Sequence, residues 1–386
     1  MATNTERWPG RIALMVAHCA GMVDLVALPV WIGTLVVHYK LDPQQAGSLA
    51  TLFLASAVLS SLFFAPRLQR MRGRRAASLG FLISATAFGG AASTHSYVAM
   101  AVLHAVAGAA AGCALSFTHG TIARSKRPHF LFAVAGTALG VFSVVFLGAT
   151  PKLVAVLGGP ALFHVFGCVM LVAAVVCVVM FPEPPTREAA AQAVPCVDDK
   201  CIDKSVWFAA LGISCMTIVQ AMMFSFLERM GADRGFSVEA ITGMLVALGL
   251  VNLLPAPLAA VLERRLNARH VVLAGPIAQA GLALILAQST AYASYASAAV
   301  FFPGVIIFTH TFAFGLIAKL DPSGRALATT PAMVMVGSAV GPILGGTLVK
   351  FHGYPSLGLA AAAVAGVAVL CFSRARPARS VMLGTH

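Results

Sequence analysis

Charge is what this 386-residue sequence has least of: Asp, Glu, Lys and Arg together make up 10% of it, against 59% hydrophobic residues. Ordinary soluble domains carry about 25% charged residues, so a soluble fold of this length would lack the surface charge to stay in solution. Strands of alternating apolar and polar residues are also missing, which excludes a membrane β-barrel and leaves helices as the spanning elements. No His-x-x-His or His-x-x-x-His pair occurs, and there is no nucleophile elbow and no phosphate-cradling Gly-Lys-Ser/Thr loop. A membrane enzyme is therefore the least supported class; no catalytic residue, metal site or cofactor is expected. Six of the eight cysteines (Cys19, Cys113, Cys168, Cys177, Cys215, Cys371) fall inside apolar runs, where Cys acts as a small hydrophobe. Cys196 and Cys201, in "CVDDKC" beside Asp198 and Asp199, have a spacing that is not a strong zinc pattern, and no second pair follows. A cleavable signal peptide is not expected, because Met1–Gly10 is polar and the first apolar run has full span length.

What is present is hydrophobic length. Crossing a bilayer core takes roughly 20 apolar residues per helix, and twelve runs qualify. They lie at about 11–37, 46–66, 76–93, 97–120, 130–157 and 160–181, then 206–228, 240–262, 271–288, 293–318, 327–350 and 356–373. The formal net charge of +13 raises the question of nucleic acid, but its distribution answers it. With the N-terminus in the cytoplasm, twenty-one Lys and Arg fall in inner segments and five (Lys40, Lys152, Arg229, Arg234, Lys350) in outer ones. That is the positive-inside bias of an inner-membrane protein with both termini cytoplasmic.

The charged, Pro-rich segment Pro182–Lys204 separates six runs from six. This predicts a first bundle over 1–181, a cytoplasmic linker over 182–205 and a second bundle over 206–386. The halves align at an offset of 195, with Arg70 on Arg265, Arg74 on Arg269, Gly80 on Gly275, and "HGTIAR" on "FGLIAK". At an offset of 201, "GTALG" (Gly136–Gly140) falls on "GSAVG" (Gly337–Gly341). Two parallel six-helix repeats put a cavity at their interface near the bilayer midplane.

Twelve spans, a central cytoplasmic loop and basic loops after spans 2 and 8 resemble the major facilitator superfamily of secondary transporters over essentially the whole chain. The family's loop between spans 2 and 3 reads Gly-x-x-x-Asp-Arg-x-Gly-Arg-Arg. Here "PRLQRMRGRR" keeps Gly73, Arg74 and Arg75 but places Arg70 where the acid belongs. The resemblance implies a gating role for this loop; plain topogenic charge is the alternative. In span 4, His104 stands where the family often has Arg, followed by Gly108 and Gly112 at the spacing that permits close helix packing. The family's antiporter signature Gly-x-x-x-Gly-Pro is incomplete in span 5, where Val141 replaces the proline; the full form, "GSAVGPILGG", is in span 11. There Gly337, Gly341 and Pro342 read as tight packing and a bend.

Of thirteen acids, only Asp24 lies deep in a span. An Asp at a helix centre costs about 2.5–3.5 kcal/mol on insertion scales, and such residues usually face a cavity and serve transport. Burial penalises its charged form, so it would hold a proton when sealed and release it when the cavity opens: a proton carrier, with a packing hydrogen bond as the alternative. Helical spacing puts Trp31 on the same face, at the cavity wall. His104 and His310 join Asp24 as candidate proton-coupling groups, because spans 4 and 10 line the cavity in the resembled family. Gln220, Asn252 and Gln279 are further cavity candidates, and span 7 carries a Met/Phe run, "MTIVQAMMFSF". No Lys or Arg lies deep in any run, which disfavours polyanionic substrates. The expectation is a monomeric carrier of a small neutral, cationic or amphipathic monoacid solute, coupled to H+, surrounded by lipid and binding no nucleic acid. A drug/proton efflux antiporter and a non-transporting receptor or scaffold are the alternatives.

Overall fold

The computed structural model describes residues 7–68, 70–182, 203–321 and 325–375, with the side chains of residue 129 and of 325–332 excepted. Residues 196 and 201 lie outside the described set. Everything regular in the described chain is helix. The first half comprises α1 (Trp8–Gly21), α2 (Val23–His38), α3 (Pro43–Phe64), α4 (Gly73–Ala92), α5 (Tyr97–Ala123), α6 (Pro128–Leu157) and α7 (Pro160–Met180). The second comprises α8 (Lys204–Ser225), α9 (Leu227–Asp233), α10 (Val238–Val251), α11 (Pro255–Leu262), α12 (Ala268–Gln288), α13 (Tyr292–Leu320), α14 (Arg325–His352) and α15 (Pro355–Arg374).

Helix ends follow local chemistry. Asp42 caps α3 with a reciprocal box, its carboxylate accepting the Gln45 N–H while the Gln45 side chain accepts the Asp42 N–H. Ser96 and Ser237 cap α5 and α10. Gly158, at φ 84°, turns the chain between α6 and α7, a conformation that costs a glycine nothing.

Three spans are interrupted rather than continuous. The first breaks at Met22 (φ −113°, ψ 19°), so α1 and α2 together make one crossing. The seventh breaks at Phe226 (φ −108°, ψ 4°) between α8 and α9. The eighth breaks at Asn252–Leu254, ahead of Pro255. Eleven stretches of described helix are long and apolar enough to cross a membrane. The remaining crossing is α4, which carries Arg74 and Arg75 at its start and Ser78, Ser84 and Thr86 within the run predicted at 76–93; it packs between α5 and α7 as a member of the bundle. The bend expected at Pro342 does not interrupt α14, which runs continuously from Arg325 to His352.

Within the first half α4 packs on α5 and α7, α3 on α5, and α1 on α5, α6 and α7; within the second α8 packs on α14 and α15, and α12 on α13 and α15. The halves meet through α3 against α14, α6 against α10, and α2 against α8 and α9. In span numbers these pairings are 2 with 11, 5 with 8 and 1 with 7, the pattern two repeats make when they face each other across a pseudo-twofold axis.

Small residues permit the closest approaches. A methyl at Gly108 or Gly112 of α5 would strike the Phe53 or Ala57 carbonyl of α3. On α14, Gly337 and Gly341 lie against Ser214, Thr217 and Ala221 of α8, while Gly346 lies against the Pro43 carbonyl of α3. The Pro342 carbonyl in turn occupies the space beside Gly47.

Candidate functional site

The break at Met22 decides the setting of Asp24. Gly21 has no side chain, and Leu115 of α5 fills the space, its Cδ1 2.7 Å from where a Cβ would stand. The chain then restarts as α2, with Asp24 in its first turn. That is the end of a helix at which negative charge is favoured. Asp24 is buried, 6% exposed. Among the described residues no side chain hydrogen-bonds to it or forms an ion pair with it.

Trp31, two turns on, lies not at an open wall but inside the first half, fully buried. Its ring stacks on His104 at 5.5 Å and meets Phe53, Phe88 and Phe166 edge-on at 4.9–6.1 Å. Face arithmetic could not separate wall from core here, because α2 is surrounded by helices of both halves and twelve of its sixteen residues are buried. His104 is likewise fully buried. Its Nδ1 lies 2.7 Å from the Met100 carbonyl; a carbonyl can only accept, so Nδ1 carries a hydrogen. Trp31 Nε1 and His104 Nε2 both lack partners.

In the second half, Gln220 on α8, Asn252 at the α10–α11 break and His310 on α13 are half-buried. Each has an unpartnered polar atom: Gln220 Oε1, Asn252 Oδ1 and His310 Nε2. They sit on helices that pack on one another, α13 touching α8, α10 and α11. Gln279 is fully buried and spends its amide on the Met216 carbonyl, a helix-to-helix bond inside this half. The Met/Phe run of span 7 is core: Met216, Met222, Met223, Phe224 and Phe226 are all buried.

The loop after span 2 is tied to its own half. Arg74 Nε and Nη2 donate to the Phe181 carbonyl that ends α7, at 3.3 and 3.2 Å, and Gly73 lies against the Phe181 ring. Arg70 and Arg75 are exposed. A cavity of about 880 Å³ lies at the matching loop of the second half, lined by Glu263, Arg264, Arg265, Arg269 and Lys319; none of the candidate site residues lines it.

The end of the bundle away from the termini is sealed. Lys350 of α14 pairs with Asp42 at 3.0 Å and reaches Gln44 at 3.2 Å; Gln44 also donates to Thr347. Thr51 donates to the Ala339 carbonyl at 2.7 Å and accepts the Ile343 N–H at 3.2 Å. Asp42 lies outside the spans. Partial burial raises its carboxyl, but the Gln45 N–H and the Lys350 ammonium outweigh this and hold it below the usual range.

A family model described as Major Facilitator Superfamily matches residues 13–322. The chain belongs to the major facilitator superfamily. It is thus a membrane protein of a family of secondary transporters, and known structures of this fold share its architecture. A bacterial homologue of the human lysosomal transporter Spinster, inward-facing and occupied, superposes with a TM-score of 0.71 at 14% identity, covering 94% of this chain and 93% of that one. The nucleoside transporter NupG superposes with a TM-score of 0.72 at 12% identity, covering 95% and 96%. No curated protein sequence matches the chain.

Two features escaped sequence reasoning. His18 Nδ1 lies 2.9 Å from His119 Nε2, joining α1 to α5 inside the first half. Glu228, near the outer end of span 7, presses on Gly33 of α2 across the two halves. The second was within reach, because an offset of 195 from Gly33 is Glu228.

Proposed function

We propose that this major facilitator superfamily member is a proton-coupled carrier of a small organic solute in the inner membrane, with both termini cytoplasmic. Its halves, 1–181 and 206–386, move against each other about the interface described above. The reading rests on Asp24: a buried carboxyl, in mid-span, at a helix break, with no side-chain partner among the described residues. An acid held for packing would bond a neighbouring helix; one that must gain and lose a proton as water reaches it from alternate sides is left free to do so. His104 and His310, each with an unpartnered ring nitrogen, are the further groups for proton transfer.

The solute class follows from what the spans offer. Gln220 and Asn252 present neutral hydrogen-bonding groups, and no Lys or Arg is set deep in a described span to hold a polyanion. A neutral, cationic or amphipathic monoacid solute fits. Arg70, Gly73, Arg74 and Arg75 form the gating loop, with Gly73 and Arg74 bracing span 3 against the end of span 6 during the movement.

A thermal-shift screen of organic acids, aromatics and cationic drugs identifies ligands for the purified protein. With a hit in hand, the protons exchanged with weakly buffered solution on binding are read by a pH dye. Wild type exchanges protons and Asp24→Asn, binding the same ligand, does not. Equal proton exchange by both proteins would remove Asp24 from the coupling role.

A further inference from the structure

The first and seventh spans cross where the two repeats face one another, and the residues that meet there are equivalents. Gly33 of α2 and Glu228 of α9 are 195 positions apart, the offset that aligns the halves. Glu228 Oε2 occupies the space a side chain on Gly33 would need. At this point of near-symmetry one half supplies a carboxylate and the other supplies only room for it.

Of the nearby charges, Arg229 and Asp233 act on Glu228 with opposite signs and are paired with each other. Arg229, its neighbour in sequence, pairs with Asp233, Nη2 to Oδ1 at 2.5 Å and Nε to Oδ2 at 3.1 Å. Arg234 donates to the Leu286 and Ala287 carbonyls at 2.7 and 2.6 Å and lies over the Tyr295 ring. Tyr295 of α13 gives its hydroxyl hydrogen to the Leu227 carbonyl. On α2, Asp24 and His38 lie nine and five positions from Gly33; α10 offers the exposed Glu239 at its start, and α8 has Cys215 as its one titratable group past its first residue. Among the described residues Glu228 has neither a hydrogen bond nor an ion pair.

We infer that Glu228 is a second proton-binding site, occupied when the end away from the termini closes and emptied when that end opens. This deepens the proton-coupled reading above but stands on a different residue and a different place. Gly33 is nine residues beyond Asp24 along α2, about 13 Å at 1.5 Å per residue, so Glu228 lies between Asp24 and the sealed end. Closure holds the half-buried carboxyl against the backbone of α2 while the nearest cation, Arg229, is already paired with Asp233, and a charge drawn out of water without a partner of its own is disfavoured there. Opening returns it to water, where the charged form is stable. By linkage, a proton bound only in the closed form makes closure depend on pH.

The test needs no transported solute. Hydrogen–deuterium exchange of the purified full-length protein in nanodiscs is followed over 28–41 and 226–237 from pH 5 to 8, corrected for intrinsic exchange. In wild type the open-to-closed ratio rises with pH, by up to tenfold per unit for a single linked proton. Glu228→Gln stays protected across the range, and Glu228→Asp, which still titrates, keeps the pH response. Gly33→Ala, whose methyl displaces the carboxylate, is open at every pH. Asp24→Asn keeps the wild-type response, so this result stands whether or not Asp24 couples transport. A pH-independent wild type overturns the proposal, as does an unchanged pH response in Glu228→Gln. Loss of the response in Asp24→Asn alone would assign it to Asp24 instead.

Discussion

The Lys350 ammonium lies 3.0 Å from Asp42 Oδ2, joining the end of α14 to the start of α3 across 308 residues of sequence. Both side chains are about one-third exposed, so this pair locks the closed end without dominating it. Exposed pairs contribute about 0.2–1 kcal/mol. Lys350→Ala should therefore raise exchange over 39–46 by up to about fivefold, and Lys350→Arg, which keeps the cation and leaves the Asp42 cap of α3 intact, should retain protection.

The same pair has its own pH window. Asp42 is held below the ordinary carboxylate value of about 3.9, so its contribution is complete above that value and is lost as pH falls through the lowered one. At pH 5–8 the lock is constant. Any pH response of the closed end in that range has to come from another group, and exchange data on Asp42→Asn between pH 5 and 8 should show the wild-type response superimposed on uniformly weaker protection.

Gly47 and Gly346 are where α3 and α14 touch backbone to backbone, against the Pro342 and Pro43 carbonyls. Overpacking such a contact costs about 1–3 kcal/mol. Gly47→Val or Gly346→Val should push the protein out of the closed state by roughly fivefold to a hundredfold, measured as faster exchange over 39–46 with an unchanged helix content by circular dichroism.

Trp31 holds the first half together rather than lining an open cavity. Truncation of a fully buried Trp costs about 3–5 kcal/mol, so Trp31→Ala should lower Tm markedly. His104→Phe keeps a ring against Trp31 and removes the unpartnered Nε2; it should unfold at or above the wild-type temperature. A large loss of stability in His104→Phe would mean that the imidazole's bond to Met100 matters more than its stacking.

Legibility in the sequence followed the range of the interactions. The apolar runs, the 195-residue repeat and the depth of Asp24 are local or periodic, and the helices appear where those patterns put them. The break at Met22 has no proline to announce it; it depends on Gly21 meeting Leu115, ninety-four residues away. Trp31 read as a wall residue because periodicity gives a face but not what stands opposite. The 195-residue offset pairs Gly33 with Glu228 as equivalents, but it takes the packing of α9 on α2 to bring the two together. The bond of Arg74 to the Phe181 carbonyl was equally hidden, since a carbonyl has no sequence signature.

The central claim is that Asp24 carries the coupled proton. The direct measurement is solute flux in proteoliposomes under an imposed pH gradient at zero membrane potential, wild type against Asp24→Asn, with energy-free exchange of the same solute as the control. The account predicts that wild type moves solute against its concentration gradient, whereas Asp24→Asn exchanges it but does not accumulate it. Gradient-driven accumulation by Asp24→Asn equal to that of wild type would contradict the account.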